Sequence, residues 1–166
     1  MIAYAEKGLG LHNKIAALGY WLVDGVDGWV SPDDVAVQSI IDAYTIADSA
    51  AHVCTEIDAH AAEMRNRVTA GISPGEMASW AIKRAEAVVY ALTGNPADAP
   101  LLSLEAQARG VPLADVCARV SANSTALGGL EAAIAGAAGR HRDAVKACAT
   151  FAEIAAYDWR TGWPAV

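Results

Sequence analysis

Two short stretches of the sequence carry residue types that act in catalysis or bind metal. Residues 71–75 read "GISPG" and match the G-x-S-x-G pattern of serine hydrolases, in which the serine lies between a strand and a helix. His52, Glu56 and His60 follow at four-residue steps, so on a helix they share one face. Imidazole and carboxylate groups are ordinary ligands of zinc and other transition metals.

Structural roles account better for both stretches. The residues before Ser73 show a helical rather than a strand pattern, and Ser73 with Glu76 three residues later is typical of a helix capping box. His52 and His60 would lie about 12 Å apart along a helix axis, too far to share one ion without a second helix. We therefore expect no catalytic residue, no cofactor and no metal site, with a metal-dependent enzyme as the weakest alternative.

Composition predicts a mainly α fold with one core and an extension. The chain has 166 residues, of which 54 % are hydrophobic, and these are mostly small, with a single Phe. A net charge of −7 opposes binding to nucleic acid, because no excess of Lys or Arg exists to displace counterions. No apolar run is long enough to cross a membrane, and the start "MIAYAEKGLG" lacks the pattern of a signal peptide. The three cysteines are widely spaced and predict buried thiols.

The first predicted segment, residues 1–30, combines a short helix with a small β-hairpin. Apolar residues at helical spacing precede Gly19, which predicts the end of the helix there. Aromatic and β-branched residues then surround two Asp-Gly dipeptides, the strongest short-range signal for a hairpin. The predicted strands are 20–23 and 29–30.

The second predicted segment, residues 31–70, is one long connecting helix. Ser31 is the expected N-cap, and apolar residues recur at steps of three and four as far as Val68. A helix of this length with one apolar stripe is either an arm for self-association or the spine of a bundle. The segment is therefore a possible oligomerisation arm.

The third predicted segment, residues 71–166, is a C-terminal helical domain. One helix follows Ser73 and ends at Gly94, a second ends at Gly110, and a third begins after Pro112. The glycine pair 128–129 inside the third helix marks either a bend or a place where another backbone comes close. Thr150 and Glu153 predict a final capping box.

Four tryptophans are the candidate partner-binding residues. Trp21 and Trp29 belong to the hairpin, while Trp159 and Trp163 lie within the last eight residues, where large apolar rings are seldom left in water. The C-terminal pair either folds back onto the protein's own helices or anchors a partner, as Trp does at interface hot spots. Internal docking is the favoured alternative.

Four stretches of the sequence resemble proteins of bacteriophage tails. They are residues 8–22, 37–48, 99–150 and 156–164, and the most informative parts are "PLLSLEAQARGVPLADV" and "DWRTGWP". The chain resembles small proteins and domains encoded in the tail modules of tailed bacteriophages, near tail-fibre and baseplate genes and often labelled tail-fibre assembly proteins. The resemblance covers most of the chain and implies no catalytic residue.

The resemblance implies a non-enzymatic tail protein, either a structural component associated with the tail fibre or baseplate or its assembly factor. Its expected partner is a tail-fibre or baseplate protein, and its expected location is the virion tail or the host bacterial cytoplasm during assembly. Self-association of the long helix would give a homo-oligomer, for which a trimer is one option. The alternative function is a phage-encoded regulator whose acidic surface binds a host protein.

Overall fold

The chain is mainly α, as its composition predicts. A computed structural model describes residue 2 and residues 7–26 and 28–166. The helices of this part of the chain are α1 (Leu9–Ala17), α2 (Asp34–Ala43), α3 (Ile46–Val68), α4 (Pro74–Thr93), α5 (Pro100–Arg109), α6 (Leu113–Ala147) and α7 (Phe151–Ala156), with a single 3₁₀ turn at Pro96–Asp98. The strands are β1 (Val23–Gly25) and β2 (Gly28–Val30).

The chain forms two compact units. The first unit comprises Met1–Glu63 and Ala135–Ala165, and the second comprises Met64–Ile134 with Val166. Both boundaries lie inside helices, one near the end of α3 and the other within α6. The predicted segments 1–30, 31–70 and 71–166 were instead divided where local sequence signals change, and such signals do not report which distant parts of the chain pack together.

The N-terminal hairpin is present, with a shift in its first strand. Val23 pairs with Val30, and Gly25 pairs with Gly28, so the connection consists of residues 26 and 27. Asp27, in the second Asp-Gly dipeptide, lies outside the described residues. The first Asp-Gly dipeptide is part of β1 rather than the turn, so the predicted strand 20–23 is wrong except for its last residue. Ile2 forms an isolated bridge to Trp29 of β2.

The predicted helix over 31–70 is two helices. The N-cap of α2 is Asp33 and not Ser31. The Asp33 side chain accepts a hydrogen bond from Ala36 N at 2.9 Å. The helix then ends at Tyr44, whose backbone is extended. Thr45 N donates to Asp48 Oδ2 at 2.9 Å while Asp48 N donates to Thr45 Oγ1 at 3.2 Å, which starts α3 with a reciprocal cap. The apolar period continues across this break and therefore conceals it.

The core of the first unit joins α1, α2 and the hairpin. Its buried members are Ile2, Leu11, Ile15, Val37, Ile41 and Tyr44. Trp29 and Phe151 are partly buried against this cluster, and the rings of Tyr44 and Phe151 stack with centroids 6.1 Å apart. Gly10 allows Tyr44 to come close, because a Cβ at position 10 would lie 2.4 Å from the Tyr44 hydroxyl oxygen.

The second unit packs α4, α5 and the first part of α6 around small side chains. Its buried cluster consists of Ala87, Ala99, Leu102, Ala106, Val116 and Cys117. Ser73 caps α4 as predicted, and Gly94 and Gly110 end α4 and α5 in the left-handed conformation. The carboxylate of Glu86 accepts from Leu101 N and Leu102 N at 3.2 and 2.9 Å, which supplies the N-terminus of α5 with the acceptor that its own cap lacks.

The glycine pair of α6 lies in a continuous helix. Beyond its own turn of helix, a Cβ built at Gly128 or Gly129 would meet no atom of the described residues within 4 Å. The described part of this chain therefore brings no other backbone close to the pair. Thr150 and Glu153 do form the predicted capping box, which begins α7.

We expect opposite effects from adding a methyl group at two glycines. Gly10→Ala should destabilise the protein by about 1–3 kcal/mol, because Tyr44 is buried and must move to make room. Gly129→Ala, in open space within a helix, should stabilise it by about 0.5–1 kcal/mol. Urea unfolding of both variants measures the difference, and an unchanged free energy of unfolding for Gly10→Ala would contradict the close packing.

Candidate functional site

The four candidate tryptophans have different environments. Trp159 is buried, with only 8 % of its surface exposed, and Trp163 is half-buried. Trp29 packs against the core of the first unit, whereas Trp21 is 54 % exposed. The structure brings Trp159 and Trp163 together, since Trp163 Nε1 donates a hydrogen bond to the Trp159 carbonyl oxygen at 2.7 Å.

The C-terminal tryptophans contact two histidines that are distant in sequence. His60 of α3 meets Trp159 and Trp163 edge-on, with ring centroids 5.8 and 4.8 Å away. His141 of α6 stacks on Trp163 at 5.4 Å, with 29° between the ring planes. We call the contact of Trp159 and Trp163 with His60, Arg140 and His141 the C-terminal dock. In this arrangement both rings pack inward, which is the favoured one of the two alternatives drawn from the sequence.

His141 is the buried polar centre of the C-terminal dock. It is 3 % exposed, and both ring nitrogens have partners. Its Nε2 lies 3.0 Å from the Thr161 carbonyl oxygen, which can only accept, so Nε2 carries the proton. Its Nδ1 then accepts from the Tyr157 hydroxyl at 2.8 Å. The neutral imidazole therefore fastens two points of the C-terminal segment at once.

Two arginines complete the C-terminal dock. Arg140 Nη2 donates to the Gly162 carbonyl oxygen at 2.8 Å. Gly162 has φ 74°, and a Cβ there would lie 2.8 Å from Arg140 Nη2, so the turn "RTGW" requires glycine. The Arg160 guanidinium lies over the Trp159 ring, 4.5 Å from its centroid.

The stretches with catalytic or metal-binding patterns have structural partners. Ser73 Oγ accepts from Glu76 N at 3.1 Å, as a helix cap does. His52 Nε2 lies 3.7 Å from Glu56 Oε1, while His60 faces the C-terminal tryptophans. Within the described ranges, no group of three or more His, Cys, Asp or Glu side chains lies close enough to hold a metal ion.

The three cysteines are free thiols. Cys54 and Cys117 are buried, and burial raises the pKa of both thiols. Cys148 is partly buried and donates to the Ala144 carbonyl oxygen at 3.4 Å. A raised pKa keeps a thiol protonated and therefore unreactive, so Cys54 and Cys117 act as small packing residues.

A groove in the second unit is a further candidate for a binding site. It lies along α4 and α6, and its volume is about 720 Å³. Its apolar lining includes Val68, Ile72, Trp80, Val116, Val120 and Leu127. We call it the α4–α6 groove. An apolar concavity of this size, with a few polar groups at its edge, is typical of binding sites.

The charged residues of the α4–α6 groove are paired unequally. Glu105 forms an ion pair with Lys83, at 2.8 Å from Nζ, and accepts a hydrogen bond from Arg109 Nη1 at 3.0 Å, and these two cations lower the pKa of its carboxyl group. Glu131 binds Arg65 through three hydrogen bonds of 2.6–3.0 Å.

Two of the cationic side chains that line the groove form no ion pair with a described carboxylate. Arg84 on α4 and Arg119 on α6 line it and are exposed, and no carboxylate among the described residues pairs with either. Glu76, near the start of α4, is the one lining carboxylate of the described chain without an ion pair.

The α4–α6 groove was not predicted from the sequence. Trp80 and Arg84 both lie in the helix that is predicted between Ser73 and Gly94, one turn apart, and both line the groove. Which arginines stay unpaired depends on contacts such as Arg65 with Glu131, which are 66 residues apart. No local pattern reports such a pairing.

Removal of a tryptophan ring from the C-terminal dock should cost more stability than removal of the exposed ring of Trp21, which lies before β1 and not within the hairpin. We expect Trp163→Ala to lower the free energy of unfolding by about 2–3 kcal/mol, because it removes contacts with both histidines and a partly buried hydrogen bond. Trp21→Ala, the matched control, should change it by less than about 0.5 kcal/mol. Urea unfolding gives both values, and equal losses would contradict the internal docking.

The C-terminal dock should weaken as the pH falls. Burial first, and then the charge of Arg140, lower the pKa of His141 from its ordinary value of 6.5. Between the lowered pKa and 6.5 the unfolded chain binds more protons, so acid favours unfolding. The stability that His141 contributes is therefore present above pH 6.5 and lost as pH falls below it. Urea unfolding at about pH 7.5 and 5 should show a smaller pH dependence for His141→Gln, and an unchanged dependence would refute this role.

Comparison with known proteins gives no relative: no family model, curated protein or solved structure matches this chain. Within the described part of the chain, none of the helices combines the length and apolar character needed to span a membrane.

Proposed function

We propose that this protein is a non-enzymatic component of a bacteriophage tail. It is associated with the tail fibre or baseplate, or it assists their assembly, and it acts through contacts with other proteins. Its proposed location is the virion tail, or the host bacterial cytoplasm during assembly. The observation that carries the proposal is the α4–α6 groove, an apolar surface with unpaired cations in an acidic chain.

The segments that resemble tail-module proteins contribute to both structural features. The stretch "PLLSLEAQARGVPLADV" forms α5 and the start of α6 and places Glu105, Arg109 and Val116 in the groove lining. The ending "DWRTGWP" supplies both tryptophans of the C-terminal dock. This correspondence supports a shared binding role, because these residues line a surface or hold a segment in place.

Structural use of the reactive side chains supports a non-enzymatic role. Ser73 caps a helix, and the two nitrogens of His141 hold the C-terminal segment. The buried thiols have raised pKa values. A nucleophile or a general base needs a lone pair directed at a substrate, and the lone pair of His141 Nδ1 faces the Tyr157 hydroxyl.

The proposal includes a homo-oligomer, for which a trimer is one option. The apolar side chains Ile57, Ala61 and Met64 of α3 are buried within the single chain, so they do not form an open arm. The exposed residues Ile82 and Leu92 instead give α4 an apolar outer face. With Ala85 and Val89 between them, these residues follow the alternating three- and four-residue spacing of a coiled-coil seam.

Quantitative mass spectrometry of purified virions and of the lysate from which they came tests the proposal. We expect a fixed copy number per particle for a tail component, and a number divisible by three agrees with a trimer. If the protein is abundant in the lysate and absent from virions, and if it co-purifies with a tail-fibre or baseplate protein, it is an assembly factor. Recovery on a host protein alone would contradict the proposal and favour the host-directed regulator.

A further inference from the structure

We propose that the α4–α6 groove binds an acidic amphipathic α-helix of a partner protein. The apolar face of that helix would cover the groove, and its carboxylates would meet Arg84 and Arg119. This assignment rests on the proposed function only in taking the partner to be a protein. It adds the chemistry of the partner and the residues that recognise it.

The lining favours a helix as the bound element. α4 and α6 form its long walls, and side chains such as Trp80, Val120 and Leu127 are half-buried in the chain alone. An amphipathic helix fills such a groove with apolar residues spaced three and four apart. Trp80 is the largest of these contacts, and Trp is frequent among the residues that dominate binding.

Charge selects the partner. The whole chain carries −7, which repels an acidic partner at long range. Inside the groove, however, Glu105 and Glu131 are each bound by cations of the chain itself, while Arg84 and Arg119 are not neutralised. A carboxylate is the best partner for a guanidinium, because it accepts two parallel hydrogen bonds from it. A basic helix would instead leave both arginines facing like charge.

The remaining carboxylate, Glu76, limits where the acidic residues of the bound helix can lie. Glu76 lies two turns of α4 before Arg84, near the N-terminal end of that helix. The acidic residues of the partner are therefore expected beside Arg84 and Arg119 and away from Glu76. Paired charges at an exposed rim add little affinity but discriminate strongly between partners.

Two synthetic peptides with one apolar face test the assignment. Both carry leucines at helical spacing, and they differ only in their flanking residues, which are Glu in one and Lys in the other. Titrated against the full-length protein and followed by calorimetry, the Glu peptide should bind about tenfold or more tightly than the Lys peptide. No detectable binding of the Glu peptide, or equal binding of the two, would overturn the assignment.

A charge-reversal variant tests the two arginines. Arg84→Glu with Arg119→Glu should weaken the Glu peptide by about tenfold or more and strengthen the Lys peptide. The control, Arg67→Glu with Lys146→Glu, changes the net charge equally but lies outside the groove lining, and it should leave both affinities nearly unchanged. Circular dichroism shows whether each variant remains folded. If both variants weaken the Glu peptide alike, net charge and not the groove is responsible, and the proposal is wrong.

Sedimentation of the same proteins distinguishes an external helix from a second copy of this chain. An oligomer of the wild type that dissociates only in the Arg84→Glu, Arg119→Glu variant would show that the groove is filled by another copy, which overturns the assignment. The mass-spectrometric measurement on virions tests the tail role independently of the groove assignment. Binding of the Glu peptide by a protein that is absent from virions and is not recovered on a tail-fibre or baseplate protein refutes the tail role alone, and presence in tails without peptide binding refutes the groove assignment alone.

Discussion

The main constraint on this fold is the small size of most of its apolar side chains. The sequence has one Phe and abundant Ala, so its helices can approach closely but have few bulky contacts to fix their positions. The structure compensates with a small number of specific anchors. In the first unit these are rings, with His60 and His141 holding Trp159 and Trp163. In the second unit the carboxylate of Glu86 caps α5 from the neighbouring helix.

The C-terminal dock illustrates how one polar residue can organise an otherwise apolar contact. A buried imidazole without partners would cost stability, but both nitrogens of His141 are satisfied. The same bonds determine its tautomer and position the ring on which Trp163 stacks. Burial also lowers the pKa of His141, so the residue that anchors the ending is the one whose charge acid would change.

The α4–α6 groove carries two arginines without ion-pair partners, although the chain as a whole is acidic. Glu105 and Glu131 are bound by cations of the chain itself, and this internal pairing leaves Arg84 and Arg119 for a partner. The groove and the proposed tail function are linked through α5 and the start of α6, since the same stretch carries the sequence resemblance and supplies part of the lining. Recognition by a helical partner is therefore the simplest use of this surface.

Local sequence signals were sufficient to predict the helical class, the hairpin and most helix ends, because caps and glycine turns depend on hydrogen bonds between residues a few positions apart. Ser73, Gly94, Gly110 and the capping box at Thr150 belong to this group. The break after Tyr44 was missed even though the Thr45 and Asp48 pair was visible, because the apolar period runs through it.

The direction of the C-terminal rings and the position of the α4–α6 groove depend instead on how distant helices pack together. The direction of Trp163 depends on His60 and His141, which come from two distant helices. The free cations of the groove depend on which carboxylates are already occupied, as Glu131 is by Arg65. Local propensity carries no record of such pairings, since they form only when separate helices pack together.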